Sequence, residues 1–141
     1  NGKSEAWHVL SATPDARIAL GLKQSMTAQQ LRTAALDGSI ADAVAWKSVA
    51  NDDTIMVPAG TIHAIGAGLV IAEIQQRSDT TFRLFDHGRA RELQIDSALA
   101  ASIRGPAGSQ SQPNRMSAQR TLLASDRHFV LERMELPPDS A

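Results

Sequence analysis

Residues 58–68 read Pro-Ala-Gly-Thr-Ile-His-Ala-Ile-Gly-Ala-Gly. A histidine just beyond a Pro-x-Gly turn is held on a stiff hairpin rim. There an imidazole can be aimed at one fixed point, as metal ligation requires. The spacing suits an unliganded surface-turn histidine equally well, so His63 stays open between the two. Glu73 interrupts the apolar run Leu69-Val70-Ile71-Ala72-Glu73-Ile74-Gln75. Period-two alternation puts it on the face of Leu69, Ile71 and Gln75. If that face is inward, the carboxylate is buried and needs a cation or hydrogen-bond donors; if outward, it is merely solvated. Arg83 follows Ser78-Asp79-Thr80-Thr81, a setting that suits a phosphate or an anionic intermediate through charge-assisted hydrogen bonds. An ordinary surface ion pair explains Arg83 as well.

Lys3 and Glu5 lie two apart, and Glu5 continues the face of Trp7 and Val9. A carboxylate there could ligate a metal, and the lysine beside it could hold an anionic substrate. Charged residues two apart on a strand are more often one wet face. His8 falls on the opposite face from Glu5 and reads as non-catalytic. His87 sits in the loop-like Asp86-His87-Gly88-Arg89, and His128 precedes a strand. None of these three histidines has metal-ligand spacing to another.

The elements that must position these groups are mostly short strands. Ala6–Leu10 and Ala16–Leu20 are strand-like, with Thr13-Pro14-Asp15 as the turn between them. Thr27 and Gln30 have capping-box spacing, opening a helix that Gly38 can end. A second helical stretch covers about Ile40 to Val44, and β pattern resumes from Trp46. Asn51-Asp52-Asp53 turns the chain into a strand at Thr54–Val57, and Pro58-Ala59-Gly60 turns it again. The glycines at 66 and 68 mark a reversal before the strand Leu69–Gln75. Thr80–Phe85 reads as a further strand, and Asp96–Ser102 as a helix capped by Asp96. Short strands with Gly, Pro, Asn and Asp punctuation predict a sandwich or barrel.

The segment 104–114 is a linker by composition. Beyond it, Thr121–Ala124 and His128–Leu136 look like the first strands of a second β-domain. The sequence thus predicts a β-domain over 1–103, a linker over 104–114, and the start of another β-domain over 115–141. The opening at Asn1, without methionine, and the ending just after a strand-like run read as cuts through a longer protein.

Bulk composition excludes several classes. The chain has 141 residues, 43% of them hydrophobic, and a net charge of −1, so neither disorder nor nucleic-acid binding is indicated. It contains no cysteine, which rules out disulfides, thiolate ligands and cysteine nucleophiles and fits a cytoplasmic setting. No apolar run approaches the ~20 residues that span a bilayer, and no signal peptide is visible.

Taken together, the blocks resemble type I phosphomannose isomerases, particularly the bacterial branch. The matching stretches are Gly2-Lys3-Ser4-Glu5-Ala6-Trp7, residues 53–64, residues 73–86, and Gly88-Arg89-Ala90-Arg91-Glu92-Leu93. In order, they span about Asn1 to Leu99. The resemblance implies a cupin-type jelly-roll β-barrel with a small helical insertion and one zinc ion in its mouth. It implies Glu5 and His63 as metal ligands, with Lys3, Glu73 and Arg83 in the active site. The two remaining ligands of the family lie in an upstream Gln-x-His segment that this sequence lacks. The chain by itself is therefore expected to bind zinc weakly and to lack activity.

The implied reaction interconverts mannose 6-phosphate and fructose 6-phosphate by proton transfer between C1 and C2 through a cis-enediol. Three rival readings remain at this point. One is a non-catalytic cupin that binds a sugar phosphate as a sensor, because fold alone does not fix function. Another is a purely structural or protein-interaction domain, which predicts no metal in the purified full-length protein. The third is an isomerase for another phosphorylated aldose, a choice that Ile65 would influence. The implied partner is a small sugar phosphate, with no nucleic acid and no membrane; oligomeric state is not legible.

Overall fold

The structure, a computed structural model, describes residues 2–86, 89 and 91–137. His87 lies outside the described residues. Chain order is β1 (Glu5–Ala12), β2 (Arg17–Leu22), α1 (Ala28–Asp37), α2 (Ile40–Ala43), β3 (Val44–Ser48), β4 (Thr54–Val57), β5 (His63–Ile65), β6 (Leu69–Gln75), α3 (Ile95–Ala101), β7 (Asn114–Arg115), β8 (Arg120–Asp126) and β9 (Phe129–Met134). The mainly β class with a small helical insertion is as the sequence predicts.

The first six strands form two antiparallel three-stranded sheets, β4-β1-β6 and β3-β2-β5. Apart from β2 to β3, which the helices bridge, successive strands alternate between these sheets. Alternation along each strand supplies the layer between them. Trp7, Val9, Ile55 and Val57 from one sheet pack with Ile18 and Leu20 from the other. Burial of such side chains stabilises by about 1.5–3 kcal/mol each.

The other face of β2 packs on the helices. Ala19 and Leu22 cluster there with Leu31, Ala34, Ile40, Val44 and Leu99. A bulge lets β2 place both residues on this face: Ala19 pairs with Trp46 and Leu22 with Val44, one residue more on β2 than on β3. Gly21 sits in this bulge at φ 72°, and a Cβ there would stand 2.3 Å from the Ala107 nitrogen. A side chain would meet both backbone strain and backbone atoms.

Helix α1 starts as the sequence predicts. Thr27 Oγ1 accepts from the Gln30 N–H at 3.2 Å, and Gln30 Oε1 accepts from the Thr27 N–H at 2.8 Å. Gly38 is its left-handed C-cap. Two predicted details differ. Asp96 does not cap α3: Gln94 occupies the N-cap, and Asp96 in the first turn pairs with Arg32 of α1. Nor is Thr80–Phe85 a strand. Both backbone polar groups of Arg83 are taken by Gln94, and Leu84 and Phe85 pack against the helix-side core. A half-buried extended segment has the alternation of a strand, but without a neighbouring edge it forms no ladder.

The third sheet has the order β7-β8-β9. Residues 104–110 run along the first two sheets. Leu22 donates to the Gly105 carbonyl at 3.0 Å, and the Gln110 side chain bonds both the N–H and the carbonyl of Met56 on edge strand β4.

Candidate active site

At one end of the sandwich the apolar layer gives way to charge. On β1, Glu5 shares the inward face of Trp7 and Val9, and its cross-strand partners are Val57 and Gln75. On β5, His63 pairs with Leu20, which puts it on the inward face of the opposite sheet. The Pro58–Thr61 turn delivers it: Thr61 N–H donates to the Pro58 carbonyl at 3.0 Å, with Gly60 at φ 83°. A positive φ at the third turn position is the type II pattern that glycine satisfies.

The two sheets thus bring His63 Nε2 to 3.7 Å from Glu5 Oε2. Nδ1 of His63 lies 2.8 Å from the Thr61 carbonyl. A carbonyl can only accept, so Nδ1 carries the hydrogen, and in the neutral ring Nε2 presents its lone pair toward Glu5. The Trp7 ring meets the imidazole edge to face at 5.2 Å between centroids and 73° between planes. Two restraints therefore fix the ring, one at its nitrogen and one at its face.

Glu5 is only 4% exposed. Lys3 Nζ stands 3.4 Å from Glu5 Oε1 and also donates to Gln75 Oε1. Glu73 pairs with Trp7 across the β1–β6 ladder but is exposed, because β6 carries it past the edge of the apolar layer rather than into it. Leu69 and Ile71 on the same face pack against the inter-sheet core, so the Glu73 face is the inward one. Partial burial first, then the charge of Glu5, hold the Glu73 carboxyl above its usual range, while Lys3 and His63 oppose the shift.

A cavity of about 390 Å³ opens at this end, with Lys3, Glu5, His63 and Arg83 in its lining. Ile65 also lines it, with Trp46 and Phe85 on the helix side. Glu73 is not in the lining; it is coupled to Glu5, which is. His8 is on the outward face, bonded through Nδ1 to Thr54 Oγ1 at 3.0 Å and apart from the cavity. Asp86 and Gln94 contact Arg83, and Arg89 and Arg91 contact Asp86; the sequence placed Asp86, Arg89 and Arg91 in the matching stretches without a role and carried no sign of Gln94. The charged run from Asp86 to Glu92 was the available signal.

Among the described residues, no group of three or more His, Cys, Asp and Glu side chains is arranged to hold a metal ion. The pair that does converge fits one. A buried carboxylate and an imidazole lone pair face each other at a separation too long for a hydrogen bond. Two acceptors so placed are the donor set a zinc ion takes. The imidazole's other nitrogen is bound to a carbonyl, the usual outer partner of a metal-ligating histidine.

A two-sheet β-sandwich with a charged, cavity-forming mouth is thus the class of protein that fold and site define. No protein-family model matches the chain. It is 34% identical to the mannose-6-phosphate isomerase of Streptococcus mutans over 145 aligned residues, 96% of this chain and 45% of that protein. It is 36% identical to the mannose-6-phosphate isomerase ManA of Bacillus subtilis, over 70% of this chain and 33% of that one. The crystal structure of the mannose 6-phosphate isomerase from Bacillus subtilis superposes with a TM-score of 0.80 at 24% identity, covering 93% of this chain and 44% of that one. The resemblance to mannose-6-phosphate isomerases therefore extends over nearly the whole chain in sequence and fold. The chain spans less than half the length of these relatives.

Proposed function

We propose that the cavity is the substrate site of a metal-dependent aldose-ketose isomerase that interconverts mannose 6-phosphate and fructose 6-phosphate. The observation that carries this reading is the convergence of Glu5 and His63 from opposite sheets, with Lys3 and Arg83 on the wall of the same cavity. The names of the relatives supply the substrate.

Glu5 and His63 would hold a zinc ion together with ligands from outside this chain. Zinc at such a site supplies Lewis-acid polarisation of a carbonyl or hydroxyl oxygen. This chain's own residues do the rest. The open-chain sugar must lose and regain a proton between C1 and C2 through a cis-enediol, and negative charge develops on its oxygen. Lys3 and Arg83 stabilise that charge or the phosphate by charge-assisted hydrogen bonds. For the proton transfer the candidate within this chain is Glu73, the carboxylate whose charge couples to Glu5 beside the cavity, and its competitor is a residue from outside this chain.

We also assign residues 1–103 to the site-bearing domain, 104–114 to the connection, and 115–141 to the start of a second β-domain. The separate sheet β7-β8-β9 supports that division.

The test is a coupled assay for fructose 6-phosphate formed from mannose 6-phosphate, with and without chelator, on this chain and on a version extended upstream. Chelator-sensitive turnover is expected in the extended, zinc-loaded protein. Zinc and sugar phosphate bound there without turnover would instead make the domain a sugar-phosphate sensor.

A further inference from the structure

Arg83 is held from two directions by residues outside the proposed reaction. Its backbone N–H donates to Gln94 Oε1 at 3.1 Å, and its carbonyl accepts the Gln94 N–H at 3.0 Å. One residue therefore pins both backbone polar groups and draws positions 83 and 94 together.

At the same neck lies Asp86, 4% exposed and part of the cavity lining. Arg91 grips its carboxylate as a fork, Nε to Oδ2 at 2.9 Å and the second nitrogen to Oδ1. An Arg89 terminal nitrogen stands 3.1 Å from Oδ1, and Arg89 Nε donates to the Asp86 carbonyl at 3.2 Å. Arg83 Nε lies 3.8 Å from Oδ1. Three guanidiniums thus share one buried carboxylate. Without it, like charges a few Å apart would repel by an amount that grows as water is excluded. The Arg83 contact is made at Nε, on the stem side of the guanidinium, while Nη1 reaches the Glu92 carbonyl at 3.4 Å. A guanidinium fixed in this manner loses little further freedom when an anion arrives, and bidentate recognition depends on that pre-organisation.

We propose that Asp86 and Gln94 are positioning residues for Arg83, the glutamine fixing its backbone and the aspartate its guanidinium at the cavity wall. The proposal rests on reading Arg83 as a charge partner of the substrate.

Two variants test it, Asp86→Asn and Gln94→Leu, each in the same active protein as the wild type. The first readout needs no activity. The NMR signal of the Arg83 backbone N–H, which donates to Gln94 Oε1, should exchange slowly in the wild type and about tenfold faster or more in Gln94→Leu, and the Arg83 Nε–H signal should shift in Asp86→Asn, while β1 amides stay protected. The second readout is kinetic: kcat for mannose 6-phosphate should fall on the order of 10–100-fold with little change in KM. In an Arg83→Ala background neither substitution should lower kcat further, a non-additivity that general loosening would not produce. An Arg83 signal unchanged in both variants overturns the proposal, as does full additivity with Arg83→Ala. A changed signal in a protein without wild-type turnover leaves the positioning intact and sinks the isomerase reading.

Discussion

At the scale of single residues, the site depends on what each side chain is denied. Glu5 is denied water, so its charge must be answered by Lys3 and by whatever occupies the space before His63. His63 is denied rotation, because the Thr61 carbonyl takes Nδ1 and Trp7 packs against the ring. We expect His63→Ala to remove most of the zinc bound by the extended protein, since a ligand with its outer partner already placed is lost. Metal analysis of purified variant and wild type decides this, and stoichiometric zinc in the variant would refute the ligand assignment. Asp86 carries a different forecast. The Arg91 hydrogen bond first, then the charges of its arginine neighbours, hold its carboxyl below the ordinary value of 3.8 against an opposing effect of burial. A carboxyl depressed in the folded state contributes stability that is fully present above its ordinary value and disappears as pH falls through the folded value. Thermal midpoints of wild type and Asp86→Asn should therefore differ at neutral pH and converge at strongly acidic pH. Curves that keep a constant separation would show that the charge is not what matters.

At the scale of elements, β1 and β5 aim Glu5 and His63 at each other, and α1 buttresses the back of β2. Helix α1 has neither an acidic residue in its first turn nor a basic one in its last. Its ends are therefore held by the Thr27–Gln30 capping box and the Gly38 C-cap. Thr27→Ala should lower stability by about 1 kcal/mol. Urea denaturation would reveal this as a shifted midpoint at unchanged slope; no shift would mean that packing of Leu31, Ala34 and Ala35 alone sets the helix. The segment 80–86 teaches a complementary point. Its strand-like pattern reflects half-burial against α3 and the cavity, and Gln94 takes the hydrogen bonds that a sheet edge would have supplied.

At the scale of the molecule, the site is as firm as the layer beneath it. Leu20 is 1% exposed and sits directly across the ladder from His63. Leu20→Ala should cost about 2–5 kcal/mol through lost contacts and a residual cavity. It should also weaken metal binding although it removes no ligand, because the rim rests on that layer. Calorimetry with and without zinc separates the two effects. An unchanged zinc affinity would mean that the turn at Pro58–Thr61 holds His63 without help from the sheet.

Sequence alone determined the local events. The capping box, the turn at Pro58–Gly60, and the strands at Thr54–Val57 and Leu69–Gln75 follow from nearest-neighbour chemistry that needs no distant partner. Motif order likewise made the resemblance to isomerases legible, and the comparisons agree with it. Tertiary structure alone decided which face of β6 is inward, because period two fixes that Glu73 shares a face with Ile71 but not which way the face points. It also decided that Thr80–Phe85 lacks a ladder and that Asp86 gathers three arginines. Those outcomes depend on which groups meet across the fold, as Trp7 meets Glu73 across the β1–β6 ladder and Gln94 reaches back to Arg83, and alternation of residue types carries no record of such closures.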